Sequence, residues 1–136
     1  MDNQIYDFLH PDARFIRKMV FMEEQGFKNE FDEIDDEAKH VVIYSQNNPV
    51  ATCRYYKKDD RYYIGRIAVL YEYRGAHLGS KLLKLAEDAL KNETDEIYLD
   101  AQVRAMDFYM KNGYVACGEE HDDEGVPHMM MKKVIA

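Results

Sequence analysis

Apolar and polar positions alternate along this chain with two distinct periods. After Pro11, a residue suited to the first turn of a helix, Phe15, Ile16, Met19 and Val20 recur three and four apart. This predicts an amphipathic helix over residues 11–24, ended by Gly26. Residues 40–45 are β-branched and aromatic and read as a strand, followed by a turn at Asn47-Asn48-Pro49. Residues 50–56 form a second strand, with a turn over 57–60, and residues 61–70 a third; the three can pair as an antiparallel meander. The period then changes. Leu78, Leu82, Leu85, Ala86, Ala89 and Leu90 fit a helix over residues 78–92, and 97–101 is a short, mostly apolar strand. A third helix over 104–112 stops at Gly113, where a left-handed cap is wanted. Strands over 114–118 and 128–134 close the chain, and Met129 to Met131 are expected to lie half in the core and half on the surface. The order α, βββ, α, β, α, ββ predicts an α/β (α+β) fold, a central mixed sheet with helices on both faces. Residues 61–101 supply its parallel β–α–β crossover.

With 136 residues, no repeat and no linker, the chain is expected to form one domain spanning 1–136. No apolar run approaches the ~20 residues that cross a bilayer, and Met1 to Gln4 do not open a secretory signal. Cys53 and Cys117 are too few for a disulfide framework, so a reducing, cytoplasmic setting is expected. The net charge of −8 argues against a nucleic-acid partner. That charge is unevenly spread. Residues 54–84 carry eight basic side chains against three acidic ones, a net of +5, which leaves −13 for the remainder. Six acids fall in the eight positions from Glu30 to Glu37, and five in the six from Glu119 to Glu124. Such runs read either as solvated loops or as loops that draw a cationic ligand, while the basic middle faces an anionic one.

The segment from Arg66 to Lys81 carries the most chemistry. An apolar strand enters a turn containing Gly75 and Gly79 that opens a helix, with basic residues on both sides. Such a turn aims several unpartnered backbone N–H groups one way, at the positive end of the helix dipole, which makes an anion site. The spacing matches neither the GxxxxGK[ST] phosphate loop nor the GxGxxG dinucleotide fingerprint.

On these residues the chain resembles the GCN5-related N-acetyltransferases, the GNAT superfamily. That family has a Q/R-x-x-G-x-G/A loop for the acetyl-coenzyme A pyrophosphate, with Arg74 here in its first position and Gly79 in its last. His77 stands where a glycine is usual, and a side chain there calls for ordinary backbone angles. A second family pattern, an Asn after the fifth strand followed by Ala, Phe-Tyr and Gly-Tyr, is echoed by Gln102, Ala105, Phe108, Tyr109, Gly113 and Tyr114, with Gln in place of Asn. Val20 to Gln25, Asp35-Asp36, His40, Arg54, Arg66 and Val126-Pro127-His128 resemble the ElaA/YjcF-like branch in particular.

The resemblance implies a mostly antiparallel GNAT sheet and acetyl-coenzyme A as co-substrate. It implies that Arg74, Gly75, Ala76, His77, Leu78, Gly79 and Ser80 hold the diphosphate, with Gln102 and Phe108 also on the cofactor side. Main-chain N–H groups of the strand from Ile67 through Ala68 and Val69 to Leu70 take the pantetheine arm and the developing oxyanion. Tyr109 is implied as the general acid for the coenzyme A sulfur. Many family members place a carboxylate on the fourth strand as base, but Gly65 to Leu70 has none. Glu24, His40, His121 and His128 remain as base candidates, and His128 is the first choice because its strand should border the pocket. Glu24, Gln25, His40, Arg54 and Arg66 are the expected acceptor-pocket residues. Arg54 and Arg66 either hold a substrate carboxylate or pair with Glu24 or Asp36. Asp35, Asp36, His40 and the run His121 to Glu124 lack zinc or calcium spacing, so no metal is expected.

The activity implied is direct acetyl transfer to a primary amine, on a small molecule, a lysine or an N-terminus, with the acidic runs favouring a cationic acceptor. Alternatives are an acyl-coenzyme A-binding module with little turnover and a transferase of longer acyl chains. The residues do not distinguish a monomer from a homodimer, and no membrane partner is expected.

Overall fold

The computed structural model describes residues 1–136. Seven strands form one sheet: β1 (Asp2–Tyr6), β2 (Lys39–Ser45), β3 (Asn48–Lys58), β4 (Arg61–Val69), β5 (Glu96–Gln102), β6 (Val115–Asp123) and β7 (Val126–Val134). Their spatial order is β1-β2-β3-β4-β5-β7-β6, and every neighbouring pair is antiparallel except β4 and β5. Between those two runs the helix α2 (Leu78–Leu90), the crossover that a parallel pair requires. The only residue pairing between them is Tyr63 with Tyr98, and past that point the strands part. No helix is long and apolar enough to cross a membrane.

Two apolar layers cover the sheet. On one face Leu78, Leu82, Leu83, Ala86 and Leu90 of α2, one side of a 3.6-residue period, pack on Val41, Ile43, Ile64, Ile97 and Leu99. On the other, Ala13 and Ile16 of α1 (Pro11–Arg17) and Val20 and Phe21 beyond it pack on Val42 and Ala68. Val41, Val42 and Ile43 thus point alternately to the two layers, as strand geometry demands. Helices cover both faces, as the order of elements predicts.

The first helix departs from expectation after Arg17, where residues Lys18–Glu24 wind as a π-helix. Phe15 and Met19, expected on the buried stripe, are exposed, and Arg17 is buried instead. β1 escapes sequence detection because it is an exposed edge strand joined to β2 by main-chain pairing, so no apolar period marks it. β6 runs on through the acidic residues to Asp123, with every position exposed, because an outer strand needs no apolar alternation. The first hairpin turns at Gln46-Asn47, one residue earlier than expected; both have positive φ, and Asn48 already lies in β3. The third predicted helix, over 104–112, divides into a 3-10 turn, Val103–Ala105, and α3 (Met106–Lys111), closed by Gly113 at φ +94°. Of the three methionines, Met131 is fully buried and the other two half-buried.

Arg17 explains the first acidic run. Its Nε donates to Glu30 Oε2 at 2.8 Å, and its Nη1 and Nη2 donate to the two oxygens of Asp35 at 2.6 and 3.1 Å. Arg54 bridges Asp35 and Asp32, and Arg66 pairs with Glu30 and Asp32. Three arginines and three carboxylates therefore neutralise one another beneath the sheet. Burial alone would raise the Asp35 carboxyl, but hydrogen bonds and charge from Arg17, with Asp32 and Arg54, bring it down to about 2. For Glu30 burial wins, and its carboxyl stays above the usual range despite Arg66 and Arg17.

Removing one partner would leave a buried charge uncompensated. Arg17→Met should lower unfolding stability by about 3 to 5 kcal/mol in urea titrations at neutral pH. Asp35 has a depressed carboxyl, so it stabilises the fold above 3.8, its ordinary value, and that contribution fades as pH falls toward 2. The fade should shrink in the variant; equal stability of the two proteins at neutral pH would contradict this account.

Candidate active site

The parting of β4 and β5 opens the sheet at one point, and β4 is kinked there. Between Thr52 and Arg54 the β3 ladder advances two residues while β4 advances three, from Gly65 to Ala68. Arg66 sits in this bulge with φ +51°. A bulge adds a residue that the ladder leaves unpaired and bends its strand, a device found beside active sites. From here to Val69 the β5-facing edge of β4 has no strand partner.

A groove of about 680 Å³ follows that edge. Ile67, Ala68 and Val69 line one wall, Phe108 and Tyr109 of α3 the other, and the turn before α2 closes its end. In that turn the N–H groups from Gly75 through Ala76, His77, Leu78 and Gly79 to Ser80 donate no hydrogen bond within the chain. Six consecutive unpartnered donors at the positive end of a 13-residue helix make this turn suited to an anion. Gly75, at φ +89°, reverses the chain here. His77 overturns the expectation of ordinary backbone angles: it adopts φ +60° and ψ +24°, the left-handed conformation in which glycine is easiest. The turn keeps its shape without the glycine, and the imidazole comes to line the groove. Gly79 is required on steric grounds, since a Cβ there would stand 2.8 Å from Cζ of Phe108.

Arg74 is held in place. Its Nη1 and Nη2 donate to the two oxygens of Glu24, both at 2.6 Å, and its Nε donates to the Val69 carbonyl at 3.0 Å. Hydrogen bonding to Arg74 lowers the Glu24 carboxyl below its ordinary value. The ion pair ties the end of the π-helix to the anion turn.

A second cavity, of about 220 Å³, meets the groove from the other side of the opening. Ile67, Gln25, Ala105 and Tyr109 belong to the walls of both. The remainder of its wall comes from distant parts of the chain, including Glu30, Asp100, Arg104, Glu124 and His128. Tyr109 stands at the junction with its hydroxyl free of any hydrogen bond within the chain. Burial pushes this phenol up from its ordinary value, so it keeps its proton.

Three histidines are separated by their hydrogen bonds. His128 Nδ1 lies 2.9 Å from the Val126 carbonyl, which only accepts, so Nδ1 carries a hydrogen and the neutral ring has its lone pair on Nε2. That Nε2 has no partner within the chain, and His128 lines the cavity. His121, its cross-strand neighbour with ring centroids 6.0 Å apart, faces oxygens with both nitrogens, Asp100 Oδ2 at 2.9 Å and the Glu119 carbonyl at 3.4 Å. Its hydrogen bond to Asp100 raises its proton affinity and favours the imidazolium. His40 is fully buried on the α1 side, donating Nε2–H to the Asp35 carbonyl, and burial holds it neutral.

The sequence from residue 12 to residue 135 matches the acetyltransferase (GNAT) domain family. The chain belongs to the GNAT acetyltransferases. These are acyl-coenzyme A-dependent N-acyltransferases, and the ElaA/YjcF resemblance holds at chain length. It is 36% identical over 126 residues to the uncharacterized N-acetyltransferase YjcF of Bacillus subtilis, covering 90% of each chain. The crystal structure of Escherichia coli ElaA superposes with a TM-score of 0.82 at 27% identity, over 97% of this chain and 98% of that one. An aminoglycoside 6'-N-acetyltransferase complexed with coenzyme A shares the fold, with a TM-score of 0.77 at 16% identity over 100% and 98% of the two chains.

Within this GNAT fold Arg74, Gly75, His77, Leu78, Gly79 and Ser80 line the groove, whereas Ala76 does not. Gln102, expected on the cofactor side, lines only the smaller cavity and donates to Gln25 Oε1 at 2.9 Å. Of the expected acceptor-pocket residues, Gln25 and Arg66 line the cavity, whereas Glu24, His40 and Arg54 do not. Glu24 is engaged by Arg74, and Arg54 and His40 are buried in the ionic layer under the sheet. The arginine partners also differ from expectation: Asp32, Asp35 and Glu30 rather than Glu24 or Asp36. Asp100 and Arg104 were not distinguished by the sequence, since no local pattern marks either.

Because a side chain at Gly79 displaces the Phe108 ring from the groove wall, Gly79→Val should weaken acetyl-coenzyme A binding about tenfold or more by calorimetry, with the circular dichroism spectrum retained. Unchanged affinity would remove this part of the groove from the cofactor site.

Proposed function

We propose that residues 1–136 form one acyltransferase domain that moves the acetyl group of acetyl-coenzyme A to a primary amine by direct attack within a ternary complex. The observation that carries this is the position of Tyr109, in the walls of both cavities where they join. A thioester entering along the groove and an amine entering through the smaller cavity meet only there.

The turn from Arg74 to Ser80 fits a diphosphate, and the unpartnered edge from Ile67 to Val69 fits an amide-bearing arm that completes the strand's hydrogen bonding. An N–H on that edge stabilises negative charge developing on the thioester oxygen. His128 Nε2, with its lone pair free, takes a proton from the attacking amine. The C–N bond forms, the C–S bond breaks, and the Tyr109 hydroxyl gives its proton to the departing thiolate sulfur. The phenol is protonated at neutral pH and so has a proton to give.

The charge argument for the acceptor moves to new residues. Glu30 is engaged by Arg17 and Arg66, so the first acidic run supports a cationic acceptor less than its composition suggests. Asp100 is likewise engaged by His121, whereas Asp123 and Glu124 line the cavity without a cationic partner and favour an ammonium on its way in.

Two substitutions test the roles separately. Tyr109→Phe should reduce kcat by about 10²-fold with little change in acetyl-coenzyme A affinity. An unaltered rate would remove Tyr109 as the acid. His128→Gln keeps a polar side chain without a basic ring nitrogen and should reduce kcat by a similar factor with acetyl-coenzyme A affinity little changed. An unaltered kcat would assign proton removal to another group.

A further inference from the structure

Four arginines around the site are neutralised by carboxylates: Arg17, Arg54, Arg66 and Arg74. Arg104 is not. It lines the smaller cavity and not the groove, and no carboxylate of the chain stands within salt-bridge distance of it. Its only partners are neutral amides. Nε donates to Gln102 Oε1 at 2.7 Å and Nη2 to Gln25 Oε1 at 3.2 Å, while Gln102 Nε2 donates to the same Gln25 oxygen.

These bonds orient the guanidinium without cancelling its charge. Five N–H groups radiate from it in a plane; the two amides use one on Nε and one on Nη2. Both N–H groups of Nη1 and the second on Nη2 donate to nothing within the chain. The neighbouring pair from Nη1 and Nη2 is the fork that grips a carboxylate bidentately. Arg104 is exposed and lines the cavity, so these donors are available to a ligand there. The same cavity is also lined by the carboxylates Asp123 and Glu124 and by His128.

From this geometry we infer that the acceptor is a small amine that also carries a carboxylate, and that Arg104 reads that carboxylate. This rests on the acetyltransferase reading for its reaction, but its recognition step stands apart from turnover. A cavity of about 220 Å³ holds on the order of seven waters, room enough for an amino acid. The amine goes toward His128 and Tyr109, and the carboxylate toward Arg104. Arg104 is thus a specificity residue of the acceptor site.

The test uses the full chain saturated with coenzyme A, so that binding is read without chemistry. Calorimetry compares amino acids and ω-amino acids with partners lacking only the charge, such as lysine with cadaverine and 4-aminobutyrate with n-butylamine; peptides ending in lysine form a separate arm. At least one small carboxylate-bearing ligand should bind about tenfold or more tightly than its partner. Arg104→Gln should abolish that preference while keeping coenzyme A affinity within about twofold, and Arg104→Lys, which keeps the charge without the fork, should restore only part of it. No preference in any pair, a preference that persists in Arg104→Gln, or a preference confined to peptides would overturn the inference. Thiol release from acetyl-coenzyme A is followed in parallel. Equal acetylation of both members of every pair would leave the acetyltransferase reading intact and overturn this one. Carboxylate-selective binding without thiol release would do the reverse.

Discussion

The separation of β4 from β5 is the constraint on which the rest of the site depends. Parallel strands linked through α2 pair once, at Tyr63 and Tyr98, and then part. An unpaired strand edge inside a sheet leaves main-chain donors and acceptors unsatisfied, which a fold tolerates only where something else meets them. Here the edge of β4 forms the wall of a groove, and the bulge at Arg66 turns the strand so that Ile67 faces both cavities. The anion turn, the phenol of Tyr109 and the imidazole of His128 are arranged around that one opening. The GNAT fold is therefore organised by a gap as much as by its core.

The ionic layer beneath the sheet keeps the gap furnished. Arg17 comes from the first helix, Arg54 and Arg66 from β3 and β4, and their carboxylates from the segment between the helix and β2. Buried charges of this kind contribute little net stability over apolar packing, yet each becomes costly once its partner is removed. Their effect here is positional: the segment carrying Glu30 is drawn under the sheet, which brings Glu30 to the wall of the smaller cavity. The Glu24–Arg74 pair does the same for the end of the π-helix, tying it to the anion turn.

Legibility in the sequence followed the range of the forces involved. α2 was readable because Leu78, Leu82, Ala86 and Leu90 repeat with the helical period on a buried face, although Leu85 is only half-buried and Ala89 is exposed, and β5 because it is central and apolar. The hairpins were readable from their turn residues. β1 and the outer half of β6 were not, since edge strands are held by main-chain bonds and leave their side chains free to be polar or charged. The π-helical winding after Arg17 was invisible, because it answers to the burial of Val20 and Phe21 against the sheet rather than to any local preference. In the site, the turn from Arg74 to Gly79 could be recognised, though the left-handed His77 could not. That residue takes a backbone angle its own side chain disfavours because the chain on either side requires it.

What the sequence determined alone was chemistry carried by consecutive backbone groups: a glycine-bearing turn ahead of an amphipathic helix exposes a row of N–H donors wherever it folds. The order of elements, and with it the fold class, followed equally from local periodicity and punctuation. The tertiary structure decided which charges remain available. Acids and arginines that look alike in the sequence divide into a neutralised layer and an exposed remainder, and Arg54 falls on one side of that division and Arg104 on the other. The reason is that a charge's availability depends on partners brought close by folding, from positions tens of residues away, and no local pattern encodes those distances.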